Sequence, residues 1–203
     1  MKIFFDTEFT GLTKNTTLIS IGLVTENING KDDSFYAEFT DYDRTMVDDW
    51  INKNVIQNLV TYKSYYVSSV NNNKIPIHEN DKEFFNKKYK VHLGNKNEIS
   101  KLLKKWLSKF DSVELVSDCC HYDMVLFIDL FGSAFDLPSN VCPTCYDINQ
   151  DISRHFNISN TKAFDVSREQ ILDDNDINLN MSMKHNSLYD AFVIRELYYL
   201  LNK

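Results

Sequence analysis

Apolar positions along the chain change period from block to block, and the blocks predict a mixed α/β protein. Ile3-Phe4-Phe5 is a short run of β-formers that begins almost at the first residue and reads as a strand buried on both faces. Leu18 to Val24 predicts a second strand, Asn29-Gly30 a hairpin turn, and Ser34 to Phe39 a returning third strand, so the chain opens as an antiparallel three-strand unit. The pattern then turns helical. Val47, Ile51, Val55 and Leu59 lie four apart, with Trp50 beside them, and predict a helix over 46–59. Ile99, Leu102, Leu103, Trp106, Leu107 and Phe110 give the clearest helix, over 98–110, with one face on the sheet. Val113 to Val116 follows as a strand that completes a crossover, and 122–134 and the segment ending near 202 predict two more helices. Between Thr61 and about residue 97 the periodicity dissolves into Lys, Asn and aromatic residues. This insertion reads either as a stacking surface for single strands or as a polar segment that packs its aromatics locally. The acidic stretch 165–176 reads as a solvated loop.

At 203 residues, with 43% hydrophobic residues, the chain is expected to be one domain able to bury a full core. No apolar run approaches the ~20 residues that span a bilayer, and the early strand leaves no room for a cleaved leader, so a cytosolic protein with no membrane partner is expected. A net charge of −7 argues against broad duplex binding, which shows a basic stripe, but allows a nucleic-acid enzyme whose acidic centre is neutralised by metal. Cys142-Pro143-Thr144-Cys145 has zinc-ligand spacing. Cys119 and Cys120 are adjacent and form no second such pair, which favours reduced, buried thiols.

The chemistry concentrates in Asp6-Thr7-Glu8 at the end of the first strand. Residues two apart share a strand face, so Asp6 and Glu8 project together, and two such carboxylates demand a proton or a cation between them. A loop Glu8, or an aspartyl-phosphate nucleophile of the haloacid-dehalogenase type, is the alternative; Glu at that position weighs against the latter. In the 122–134 helix, Leu126, Phe127, Leu130, Phe131 and Ala134 fall at +3, +4, +7, +8 and +11 from Asp123, which therefore heads the buried stripe. Asp123 is either a helix-start charge or a site residue; Asp118 is a weaker candidate, and Asp129 points to solvent. In the last helix Ala191, Ile194, Leu197, Tyr198 and Leu201 place Asp190 on the buried face, where a lone charge is costly. His185 would lie on the wrong side of a continuous helix, but reaches the same cleft from a loop capped by Asn186 or Ser187. Four carboxylates suit Mg²⁺ or Mn²⁺. Two such ions about 4 Å apart clamp the oxygens of a phosphodiester displacement, and a neutral His takes the proton of the attacking water.

With these residues the chain resembles the DEDDh (DnaQ-like) 3′–5′ exonucleases of the RNase H-like fold. Asp6-Thr7-Glu8-Phe9-Thr10-Gly11-Leu12 is similar to their D-x-E-x-T-G-L motif, Tyr122-Asp123 to the end of their second motif, and His185 to Asp190 to their H-x-x-x-x-D. Within the family, the small bacterial and phage polyadenylate-specific exoribonucleases are most similar; the Ser117 to His121 segment departs from their pattern. The resemblance implies a central mixed sheet of about five strands with helices on both faces. It further implies that Asp6, Glu8 and Asp190 hold a first Mg²⁺ (or Mn²⁺), that Asp6 and Asp123 serve a second, and that His185 is the base. Phe9, Thr10, Gly11 and Leu12 would hold the 3′-terminal nucleotide, with Leu12 a wedge against the last base. The expected substrate is the 3′ end of single-stranded nucleic acid, RNA favoured, cut to nucleoside 5′-monophosphates; a homodimer is common among such relatives. A single-stranded DNA exonuclease, a phosphatase or nucleotide hydrolase, and a non-catalytic nuclease-like module are the alternatives.

Overall fold

A computed structural model describes residues 1–62, 85, 88–179 and 183–203. The observed sheet has six strands: β1 (Lys2–Phe9), β2 (Leu18–Thr25), β3 (Ser34–Phe39), β4 (Val91–Gly94), β5 (Val113–Ser117) and β6 (Val141–Asp147), in the order β4-β3-β2-β1-β5-β6. The opening three strands are antiparallel, and β5 joins β1 in parallel, as the crossover predicts. Asn29 (φ 55°) and Gly30 (φ 78°) close the β2–β3 hairpin, both in the left-handed region that a two-residue turn of this hand requires.

Alternation along β1 divides the core between the two faces of the sheet. Ile3 and Phe5 pack with Ile99, Leu103, Trp106 and Leu107 of α2 (Lys96–Leu107) and with Met124, Leu126 and Phe127 of α3 (His121–Asp129). Phe4 turns to the other face, against α4 (Ile148–His155), α5 (Asn160–Asp165), α6 (Arg168–Asp173) and α7 (Ser187–Leu201). Helices thus cover both faces of a mixed sheet. Among the described residues, no helix is long and apolar enough to cross a membrane.

Several elements differ from the sequence reading. The segment expected as one helix over 46–59 is a 3-10 turn, a short α1 (Asp49–Asn54) capped by Asp48, and a second 3-10 turn; Trp50 is 56% exposed, while Ile51, Val55, Ile56 and Leu59 form a small core. Asn95 and Glu98 make a reciprocal capping box, which starts α2 two residues early, and Leu102 stays partly exposed rather than lying on the sheet. Helix α3 stops at Asp129, because Gly132 at φ +103° turns the chain away. β4 lies inside the stretch read as patternless. Within the same stretch Phe85 is fully buried against Tyr36, and Tyr89 packs on Phe85 and Phe192, so these aromatics pack locally; Tyr65, Tyr66, Phe84 and Lys87 lie outside the described residues. The cysteine pair sits on β6, an edge strand, where Pro143 is tolerated because no further strand needs its missing N–H. All four thiols are free and half-buried rather than buried. The 165–176 stretch is no solvated loop: it closes α5 and forms α6, burying Ile171 and Leu172.

Candidate active site

The strand β1 continues through Glu8 and Phe9, so Asp6 and Glu8 stand on one face of it, opposite Gly22 and Ser20 of β2. The start of α7 crosses this pair. A Cβ on Gly22 would lie 2.2 Å from the Leu188 backbone nitrogen, so only glycine lets α7 come this close to the sheet. Beside it, the Ser20 and Ser187 hydroxyls share a 2.9 Å hydrogen bond that fixes the register of helix on strand. Asn186 caps α7 by accepting from the Tyr189 N–H, and its amide donates to the Tyr36 hydroxyl. His185 is therefore outside the helix, in a left-handed conformation (φ 62°) that reverses the chain over the cleft. Its backbone N–H donates to Asp190 Oδ2 (2.9 Å), its Nδ1 lies 3.9 Å from Glu8 Oε1, and its ring stands edge-to-face on Trp50.

Ligand-capable atoms of Glu8, His185 and Asp190 all lie within 4.8 Å of one another. Asp6 and Asp123 line the same cleft, of about 920 Å³, outside this tight group. Asp123 arrives from the opposite side of β1: its Oδ1 accepts from the Thr7 N–H (3.0 Å) and hydroxyl (2.5 Å), and its Oδ2 from the Ser117 hydroxyl (3.1 Å). Asp118 also lines the cleft, but its carboxylate is bound by Arg168, through Nε (2.6 Å) and Nη2 (2.9 Å). Of the residues expected to hold a terminal nucleotide, Phe9 stacks on Tyr122 with ring centroids 5.4 Å apart, and Gly11 and Leu12 line the mouth, Leu12 being 75% exposed. Thr10 does not line the cleft. Its hydroxyl accepts from the Thr17 N–H and closes the 10–17 loop, a local backbone need that captures the side chain.

Burial, followed by the charges of Asp123, Asp190, Glu8 and Asp118, holds the Asp6 carboxyl well above the usual carboxylate range. Glu8 is raised in the same way, by burial and then by Asp190 and Asp123. Burial and then Glu169 raise Asp190. Burial lifts Asp123 to about 6 against the pull of its hydrogen bonds from Thr7 and Ser117. His185 moves the other way: burial and then Lys184 lower it, favouring neutral imidazole. Four carboxyls around one cleft, Asp123 buried and Asp6, Glu8 and Asp190 half-buried, with the nearby Arg168 engaged by Asp118, form an oxygen-donor set short of positive charge. Such a set fits hard divalent cations such as Mg²⁺ or Mn²⁺.

A stability consequence follows from these shifts. A carboxyl raised in the folded state contributes most when protonated, below its ordinary value, and loses that contribution as pH climbs through the folded value. For Asp123, raised from 3.8 to about 6, the loss runs from about pH 4 to about pH 6 and totals about 3 kcal/mol, roughly half of it above pH 5, at about 1.4 kcal/mol per pKa unit. The metal-free protein is expected to melt at lower temperature at pH 7.5 than at pH 5. Millimolar Mg²⁺ should raise the melting temperature at pH 7.5 and have little effect at pH 5; scanning calorimetry at both pH values, with and without EDTA, checks this.

Sequence reading missed Arg168, Glu169 and Trp50 in the cleft wall. Ser167 with Gln170 three residues on is a helix-start signal ahead of the apolar pair Ile171-Leu172, and would have placed α6. The Arg168–Asp118 pair joins residues fifty apart and carries no local signal.

No protein-family model and no curated protein matches the chain in sequence. Solved structures do match in shape. The nuclease domain of 3′hExo, a DEDDh family member, bound to rAMP, superposes with a TM-score of 0.64 at 12% identity, covering 99% of this chain and 90% of that one. A 3′-exonuclease in specific recognition of the histone mRNA stem-loop 3′ end, and a full-length 3′-exonuclease, each superpose with TM-scores of 0.61 at 11% identity, covering 99% of this chain and 80% of theirs. The chain therefore has the RNase H-like α/β fold of DEDDh nuclease domains.

Proposed function

We propose that this protein is a divalent-metal-dependent 3′–5′ exonuclease of the DEDDh type, acting on the 3′ end of single-stranded nucleic acid. The observation that carries the reading is the convergence of Asp6, Glu8, Asp123 and Asp190 on one cleft with His185 at its edge, from β1, α3, the first turn of α7 and the turn before it. Asp6, Glu8, Asp123 and Asp190 would hold two Mg²⁺ or Mn²⁺ ions, which supply Lewis acidity and a nucleophilic water at neutral pH. His185, kept neutral, would accept a proton from an attacking water at an imidazole nitrogen, its backbone tied to Asp190 while the ring is steadied by Trp50. Leu12 and Trp50 present exposed apolar surface at the mouth, suited to a terminal base. The product would be a nucleoside 5′-monophosphate.

RNA as the preferred substrate is supported by the sequence motifs shared with polyadenylate-specific exoribonucleases and by RNA-directed structural neighbours; those neighbours are not of the polyadenylate-specific type. The test is a 5′-labelled single-stranded RNA and its DNA counterpart, each incubated with protein in Mg²⁺ or in EDTA. A Mg²⁺-dependent ladder shortening from the 3′ end is expected, faster on RNA, and His185→Asn should slow it by about 10²–10³-fold. Undegraded strands of both kinds, with folded protein and Mg²⁺ or Mn²⁺ present, would overturn the assignment.

A further inference from the structure

The cleft that would receive a polyanion is walled by carboxylates, including Asp48, Asp118, Asp165 and Glu169 beyond the four central ones. Among the described residues lining it, two carry permanent positive charge, Arg168 and Lys184. Their situations differ. Arg168 is 12% exposed and committed: Nε and Nη2 bind Asp118, Nη2 also reaches Asn149 Oδ1, and Nη1 donates to the carbonyls of Ala163, Phe164 and Val166. Moving it would strip a half-buried carboxylate and three carbonyls of their donor.

Lys184 is 57% exposed, next to His185 in sequence, and its Nζ is shared between the two oxygens of Glu169, at 3.2 and 3.3 Å. Its backbone is fixed, because the Lys184 carbonyl accepts from the Asn58 amide (2.7 Å), while the four-carbon stem remains in solvent. A solvent-exposed ion pair is weak and readily exchanged for a stronger anion. A phosphodiester oxygen is such an anion.

Resting on the nuclease reading above, we infer that Lys184 holds a substrate phosphate at the mouth of the cleft and that Glu169 is its resting partner, displaced when the strand enters. Glu169 keeps the ammonium beside His185 when no strand is bound, so the cation is prepositioned. A chain of net charge −7 has little long-range attraction for a polyanion, which gives one placed cation more weight in binding.

The test uses the full chain with Mg²⁺ and a 5′-labelled single-stranded oligoribonucleotide, and measures kcat and KM over a series of salt concentrations. Lys184→Gln should raise KM about tenfold with a much smaller change in kcat. The slope of log KM against log salt should become shallower by about 0.7, the share of one single-strand phosphate contact. Lys184→Arg should restore both, and Glu169→Gln, which frees the ammonium, should lower KM. An unchanged KM and salt slope in Lys184→Gln, or a loss confined to kcat, would overturn the inference while leaving the nuclease assignment intact. An inactive wild-type protein would instead remove the assignment on which it rests. Should Lys184→Gln fold poorly, the Glu169→Gln arm decides alone: a KM that does not fall counts against the proposal.

Discussion

Replacing Asp6 by Asn is expected to abolish nuclease turnover and, in the same protein, to raise the melting temperature of the metal-free form. The two effects have one origin. Asp6 is the carboxylate whose field includes all the others: Asp123, Asp190, Glu8 and Asp118 each push its proton affinity up. In a substrate-free, metal-free protein at neutral pH, that mutual repulsion and the burial of charge both oppose folding, and an amide of the same shape relieves them. Each kcal/mol recovered raises the melting temperature by roughly 2–4 °C in a chain of this size. The amide is a poorer ligand for a hard cation, and under the proposed function several kcal/mol of transition-state charge stabilisation would depend on the metals; activity should then fall by about 10⁴-fold. Thermal unfolding in EDTA and single-turnover cleavage in Mg²⁺ read the two effects separately. A variant that melts below the wild type and retains its cleavage rate would contradict both halves, and with them the view that this cluster exists to hold cations.

The parts of the fold that could be read from sequence are those in which local pattern and tertiary environment agree. β1, β2 and β3 are apolar and either alternate or run continuously, and Asn29-Gly30 admits few conformations other than the turn observed. Asp6 and Glu8 were legible as a same-face pair at the end of an apolar strand, and Asp123 and Asp190 because each heads the apolar stripe of its helix, where an unpaired charge is hard to accommodate. His185 needed one inference more, that the chain reverses ahead of the helix, and Asn186 as cap supplied it. Other features were hidden by length or by distance. β4 is four residues long and β6 an exposed edge strand carrying Cys and Pro, so neither shows a period. Thr7 and Ser117 carry no signal beyond being small and polar, yet both hold Asp123 from β1 and β5. Thr10 lies within a recognisable motif, and its hydroxyl accepts from the Thr17 N–H in the loop, a partner no local pattern announces.

Gly22→Ala is expected to be the most damaging single-methyl substitution in the molecule, although it touches none of the proposed chemistry. The added carbon would lie 2.2 Å from Leu188 N, 2.3 Å from Leu188 Cα and 2.3 Å from the Ser187 carbonyl carbon. These are backbone atoms in the first turn of α7, so no side-chain rotation can relieve the contact; the helix must lift or the strand must bend. Overpacking of this kind costs about 3 kcal/mol or more, which corresponds to a melting temperature lower by roughly 6–12 °C. Gly22 is paired with Asp6 on the neighbouring strand, and the same turn of α7 carries Asp190 and follows His185. Lifting it would break the Ser20–Ser187 hydrogen bond and separate His185 and Asp190 from Glu8. A displacement of about 1 Å between reacting groups costs on the order of 10²-fold in rate. The folded fraction of Gly22→Ala should therefore cleave about 10²-fold more slowly. Urea titration and single-turnover cleavage at a temperature where the variant is folded measure these effects. Wild-type stability in this variant would mean that α7 does not rest on β2 at Gly22. Without that contact, Asp190 and His185 would be held against Asp6 and Glu8 by the Ser20–Ser187 and Asn186–Tyr36 hydrogen bonds rather than by close packing of α7 on the sheet.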